Sequence, residues 1–262
     1  MEEAANSVED HLIEGLSFKL RPGASYVQSR RSVSFFPQGG NTYSTTGVKV
    51  IKISLTGSQG EWLDPSTLSI LYDINNDGGG TATTKHLMML SGPWSIFRRM
   101  RILCGGSVIE DIDSYNRCHE IFHILSSAAK RENDEVMGFG VNSYRELTTW
   151  ERPFPISLNK KDYMGIVGSK TVMFRPLSGL INQDTYLPFR YMGGLTIELE
   201  LVSDPNEPII SGSFAYSGDP NAVPPVPATE LIANDGYSDK WSIINIQVKA
   251  DTIQLDIGLN DE

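Results

Sequence analysis

The sequence predicts an all-β fold, an antiparallel β-sandwich with one inserted helix and long loops. Three observations lead there. Apolar and polar residues alternate with period two in several short runs, as in LTIELELV (195–202). The 24 glycines and 14 prolines fall between those runs, where turns between strands are needed. Helical periodicity is convincing in one place, so the βαβα alternation of a parallel sheet is missing.

The elements follow in chain order. Residues 1–24 are expected to form an N-terminal arm, and 25–262 a single domain. SYVQSRRSVSFF (25–36) mixes β-branched, aromatic and polar residues as a strand does, and QGGN turns it. In VKVIKISL (48–55), Val48, Val50, Ile51, Ile53 and Leu55 stand against Lys49, Lys52 and Ser54. LSILYDI (68–74) is an apolar strand closed by NNDGGGTATT. IFRRMRILC (96–104) and SVIEDI (107–112) flank Gly105-Gly106, the signature of a tight hairpin. The helix is expected over about 113–128, capped by Asp113 or Ser114. Tyr115, Cys118, Ile121, Phe122 and Leu125 form its apolar face. Thr171–Phe174 is a short strand, and WSIINIQVKADTIQL (241–255) is a long final one. The proline-rich stretch 204–239 reads as a long loop. Many strands, one helix and long loops fit a jelly-roll sandwich best.

Composition excludes several functions. The 262 residues are 40% hydrophobic and 21% charged, an ordinary globular balance. Net charge is −10, with 32 acidic against 22 basic residues, which repels phosphate backbones and argues against sequence-specific nucleic-acid binding. Two cysteines, Cys104 and Cys118, form no disulfide framework. The acidic N-terminus MEEAANSVEDHLIE lacks the features of a signal peptide. No apolar run reaches transmembrane length, and no N-glycosylation sequon occurs. These features imply synthesis in the cell interior without secretion.

One stretch carries letters of known chemistry. His119-Glu120-Ile121-Phe122-His123 matches the H-E-x-x-H pattern, in which two imidazoles on one helix face share zinc and the glutamate activates water. A third ligand is hard to find. Ser126 and Ala129 stand where a metzincin has glycine and histidine, and Glu146 and Glu151 are followed at once by Pro153 and Pro155. The motif is therefore expected to be structural, with no metal, cofactor or catalytic residue. Asp73-Ile-Asn75-Asn-Asp77-Gly78 opens like a calcium loop, but Thr84 occupies the position of its closing glutamate. A turn between strands is the expectation there, with a weak calcium site at 73–78 the alternative. The segment Trp94–Arg101, with Trp94, Phe97, Arg98, Arg99 and Arg101, is a candidate subunit interface; core packing with a solvated face is the equal alternative.

Four stretches together resemble a known family: SRRSVSFFPQGGNTYS (29–44), EWLDPSTLSILYDINN (61–76), LSGPWSIFRRMRILCGGSVIEDIDSYNRCHEIFHIL (90–125) and VKADTIQLDIGLNDE (248–262). They are similar to the N-terminal half of double-jelly-roll major capsid proteins of Polinton/adintovirus-like elements, in the adenovirus hexon lineage. The resemblance implies a non-enzymatic, hexon-like subunit in the shell of a virion. It implies homotrimeric capsomers, neighbours such as penton-type proteins, and an H-E-x-x-H helix without metal. It leaves open whether the chain is half of a longer protein or a single-jelly-roll relative. Two other classes compete. One is a zinc metallopeptidase built on His119, Glu120 and His123. The other is a glycan-binding lectin using loop aromatics such as Tyr216 or Tyr237.

Overall fold

The computed structural model describes residues 27–58, 60–77, 87–139, 156–158, 168–209, 213–214, 231–232 and 240–255. Its strands are β1 (Val27–Phe35), β2 (Thr42–Ser44), β3 (Val50–Leu55), β4 (Glu61–Asn76), β5 (Leu87–Met89), β6 (Phe97–Cys104) and β7 (Ser107–Ile112). They continue with β8 (Ile156–Leu158), β9 (Ser169–Phe174), β10 (Leu187–Pro188), β11 (Leu195–Leu201), β12 (Ser213–Phe214), β13 (Leu231–Ile232) and β14 (Trp241–Leu255). The main helix, α1, spans Tyr115–Ile124.

Two sheets make the sandwich. One runs β1-β14-β4, with β9 and β10 sharing the far edge of β4 and β2 pairing β14. The other runs β3-β11-β6-β7. Every named ladder is antiparallel. Along the chain the principal strands switch between sheets: β1, β4, β9 and β14 lie in one, and β3, β6, β7 and β11 in the other. First and last strands pair side by side, which is the wrapping of a jelly roll.

The period-two pattern sets the core. Ile51, Ile53 and Leu55 on β3, and Leu195, Ile197, Leu199 and Leu201 on β11, are all fully buried. Leu68, Ile70, Tyr72 and Ile74 on β4 face them from the other sheet. Val48 and Val50 do not join this face; both are exposed, because the buried set on β3 begins at Ile51. The Gly105-Gly106 hairpin is as expected. Both glycines have positive φ, 55° and 85°, between the paired Cys104 and Ser107. This two-residue turn matches the twist of its strands.

β14 does not keep one phase. Its register slips between Ile244 and Gln247 and again between Lys249 and Asp251. The inward set moves from Ile243 to Ile246, Val248 and Ala250, and then to Ile253. Asn245 takes a left-handed φ of 54° at the first slip. Its amide N–H donates to Asn41 Oδ1 at 3.0 Å and its side chain donates to Asp73 Oδ2 at 2.8 Å. Asparagine suits this position because it tolerates φ > 0 better than other side chains.

Three expectations need adjustment. The strand expected over 68–74 is the end of the longer β4, so Asp73 and Asn75 sit on a hydrogen-bonded strand between β14 and β9. Asp73 accepts from Thr171 and Asn245 within that strand; Gly78 lies outside the described residues. The helix is shorter than 113–128, with a separate turn at Ala128–Arg131. Of the loop 204–239, residues 204–209 are turns and β12 pairs β13, while the rest lies outside the described residues. The arm 1–24, Glu146, Glu151, Tyr216 and Tyr237 also lie outside them. Among the described residues, no helix is long and apolar enough to cross a membrane.

Candidate functional site: the H-E-x-x-H helix and the arginine face

α1 leaves the hairpin β6–β7 and lies over the 3₁₀ turn Pro93–Ile96. Ser114, the residue before it, takes a left-handed φ of 53° and makes no side-chain cap. The helix is held by side chains further along. Tyr115 is fully buried, and its hydroxyl accepts the Leu177 amide at 3.0 Å. Asn116 donates to the Ser95 carbonyl at 3.3 Å.

The three motif residues point at the sandwich, but each is committed to a separate structural contact. His119 stacks on Trp94 with ring centroids 4.0 Å apart and planes 16° from parallel. Its Nε2 lies 3.1 Å from the Arg175 carbonyl, so this nitrogen carries the proton, and Nδ1 is enclosed without a partner. Burial pushes the ring down to about 4, and the bond to Arg175 only partly offsets that, so the imidazole is neutral near pH 7. Glu120 Oε2 accepts Trp94 Nε1–H at 2.8 Å and the Ser91 hydroxyl. His123 Nε2 pairs with Asp134 Oδ2 at 2.8 Å. A peptidase would need both imidazoles and a free carboxylate converging on one ion. Here the carboxylate holds an indole, and the imidazoles reach a carbonyl and an aspartate. Among the described residues no group of three or more His, Cys, Asp or Glu is placed to hold a metal.

A cavity of about 420 Å³ opens beside the motif, between α1 and the segment after β9, walled by Trp94, Phe122, His123, Phe139, Arg175 and Leu177. Trp94 is the hub of this region. Phe139 meets it edge-on at 5.3 Å and Phe174 at 6.3 Å. Sequence reasoning missed Asp134, Arg175 and Ser91 as partners of the motif, since none stands at a spacing that links it to the helix.

The Trp94–Arg101 segment divides in two. Trp94 and Phe97 are 2% and 0% exposed, and their rings pack in the chain's own core, the alternative the sequence left equal to an interface. The arginines lie on the outer face. Arg99 grips Asp111 with two bonds, Nε to Oδ1 at 2.8 Å and Nη2 to Oδ2 at 2.6 Å, which holds the Asp111 carboxyl below its usual range. Arg101 Nη2 lies 2.7 Å from Glu198 Oε2, an ion contact without hydrogen-bond geometry, and Lys52 lies 2.5 Å from the other oxygen. The strand register aligns Lys52, Glu198, Arg101 and Asp111 across all four strands of this sheet. Alternating charge across neighbouring strands neutralises this face. Arg98 is half exposed, 3.8 Å from Asp113.

No protein-family model matches the sequence, and no curated protein matches it. Solved structures do match in shape. A chain of the Sputnik virophage particle is similar over 92% of this chain and 51% of its own length, with TM-score 0.51 and 9% identity. The fold is the jelly roll shared with that virophage chain. The Faustovirus major capsid protein is similar over 95% of this chain and 58% of its own (TM-score 0.49, 7% identity). The mavirus major capsid protein is similar over 95% and 51% (TM-score 0.44, 12% identity). The chain therefore spans about half the length of the structures it matches. Within this jelly roll, α1 and the H-E-x-x-H motif occupy the connection from β7 to β9, outside both sheets.

Proposed function

We propose that the chain is a structural subunit of a viral-type capsid, hexon-like, that assembles with copies of itself into capsomers of an icosahedral shell. The observation that carries this is the jelly-roll strand order, which aligns with the Sputnik virophage chain over 92% of the residues. The physics is compatible with it. A wrapped antiparallel sandwich pairs most of its strand edges internally and leaves loops and outer faces for contacts between subunits. The role is structural rather than catalytic, since the one motif with catalytic letters is used to dock α1 on Trp94. Homotrimers, penton-type neighbours and a place in the virion shell belong to the same proposal.

Electron microscopy of the purified chain, together with its mass in solution by light scattering, tests it. Trimers, sheets or particles are expected. A chain that stays monomeric under all conditions yet binds glycans, or carries stoichiometric zinc lost on His119→Ala, would overturn it.

A further inference from the structure

Folded interiors are close-packed, with few voids larger than a water molecule. The cavity of about 420 Å³ between α1 and the segment after β9 departs from that rule. Its size falls within the range of about 300–1000 Å³ usual for small-molecule sites. Buried rings make its floor: Trp94, Phe139, Phe174 and Pro176. Phe122, 58% exposed on α1, forms one side. The floor is held from behind, so it does not collapse onto the space. Trp94 is bonded to Glu120 and stacked on His119, and Phe174 is paired with Ile70 of β4. Phe139 follows Gly138, whose left-handed φ of 85° and close approach to the Thr171 carbonyl leave no room for a side chain.

The charged groups around the cavity are unevenly partnered. Asp134 is taken by His123 Nε2 at 2.8 Å. Lys130, from the turn after α1, and Arg175, from the segment after β9, are both exposed at its mouth. Among the described residues neither is paired with a carboxylate, and the Arg175 guanidinium makes one long bond, from Nη2 to the Ile181 carbonyl at 3.5 Å. Arg30, Arg31, Lys52, Arg99 and Arg101, by contrast, each meet an acidic side chain. In a chain of net charge −10, two cations without a carboxylate at one apolar opening are a local exception.

We propose that this cavity is a binding site for a small amphiphilic anion, an apolar body of the fatty-acid kind carrying one carboxylate. The body lies against Trp94, Phe122, Phe139 and Phe174, and the carboxylate is held at the mouth between Lys130 and Arg175. Entry of the body removes its own surface and that of the rings from water and restores packing contacts that the cavity walls lack. The head group stays at the solvent edge and so avoids the full cost of burying a charge. A cationic ligand would be repelled by Lys130 and Arg175, and a neutral one would leave both without a partner, so the charge at the mouth selects an anion.

Calorimetric titration of the full chain with decanoate, kept below its micelle concentration, tests this, with decanol as the neutral analogue. One-to-one binding of decanoate is expected, at least about tenfold tighter than that of decanol. Lys130→Gln/Arg175→Gln is expected to weaken decanoate by at least about tenfold and to leave decanol unchanged. Its melting temperature should stay that of the wild type, since both side chains are exposed. Phe122→Asp sets a carboxylate beside the bound one and is expected to abolish decanoate binding, again with the fold retained, because Phe122 is more than half exposed. A wild type that binds no decanoate, equal affinities for decanoate and decanol, or decanoate binding that survives in both variants would overturn the assignment. None of these results bears on self-assembly, which electron microscopy and light scattering read separately.

Discussion

Acid should loosen the chain through one side chain, His119. In the unfolded chain an imidazole titrates near 6.5; in the fold, burial against Trp94 pushes His119 down to about 4. The folded state therefore prefers the neutral ring, and protonation favours unfolding. The stability tied to the neutral ring is fully present above pH 6.5. It is lost as the pH falls from 6.5 towards 4, at about 1.4 kcal/mol per pH unit, and levels off below. The whole window amounts to about 3 kcal/mol, an upper bound set by how well the ring is shielded. Carboxylates begin to titrate in the lower part of that range, so the informative interval is pH 7 to 5.5, where the expected loss is about 1.4 kcal/mol. The assay is urea unfolding followed by tryptophan fluorescence at several pH values, for wild type and His119→Phe. The substituted ring keeps an aromatic partner for Trp94 and cannot titrate. The variant's stability should lose about one proton's worth of slope relative to wild type. Parallel pH curves for the two proteins would refute the reasoning, because they would mean that the ring is not held neutral by its packing.

Three other outcomes follow from the same contacts. Trp94→Ala should destabilise the chain by about 3–5 kcal/mol in urea unfolding, as for a fully buried aromatic, and not by the smaller amount expected of a surface anchor. Asn245→Ala puts at φ 54° a residue that tolerates the left-handed region less well and removes the side-chain bonds to Asp73 Oδ2 and from Asn41 Nδ2, so thermal melting should report a loss of about 2 kcal/mol. Adding zinc should not raise the melting temperature, since the His119, Glu120 and His123 side chains are engaged by Arg175, Trp94 and Asp134; a shift abolished by His123→Ala would count against this.

Much of the fold is written in local pattern. The alternation in LTIELELV names the buried face of β11, and Gly105-Gly106 names the β6–β7 hairpin, because a strand's two faces and a turn's dihedrals depend on residues next to one another. The helix is also legible from its run of helical spacing, although the expected cap is not made: Ser114 is left-handed with no side-chain cap bond. Its orientation is not. Five apolar letters at helical spacing suggest that Ile121, Phe122 and Leu125 face inward. The structure turns them out, because Trp94, Arg175 and Asp134, brought close only by folding, bind the polar stripe more specifically than the core could bind the apolar one.

The same distinction separates the two readings of H-E-x-x-H. Spacing alone puts both imidazoles on one helix side, which serves a zinc site or a docking site equally well. What decides between them is the set of atoms within hydrogen-bond reach, and those come from distant positions in the chain. The sequence by itself determined the principal strands of the two sheets, the tight turn and the negative net charge, all fixed by neighbouring residues or by composition. The tertiary structure alone decided the strand order, the two phase slips of β14, the burial of Trp94 and Phe97, and the outward face of α1, since each depends on which remote surfaces meet.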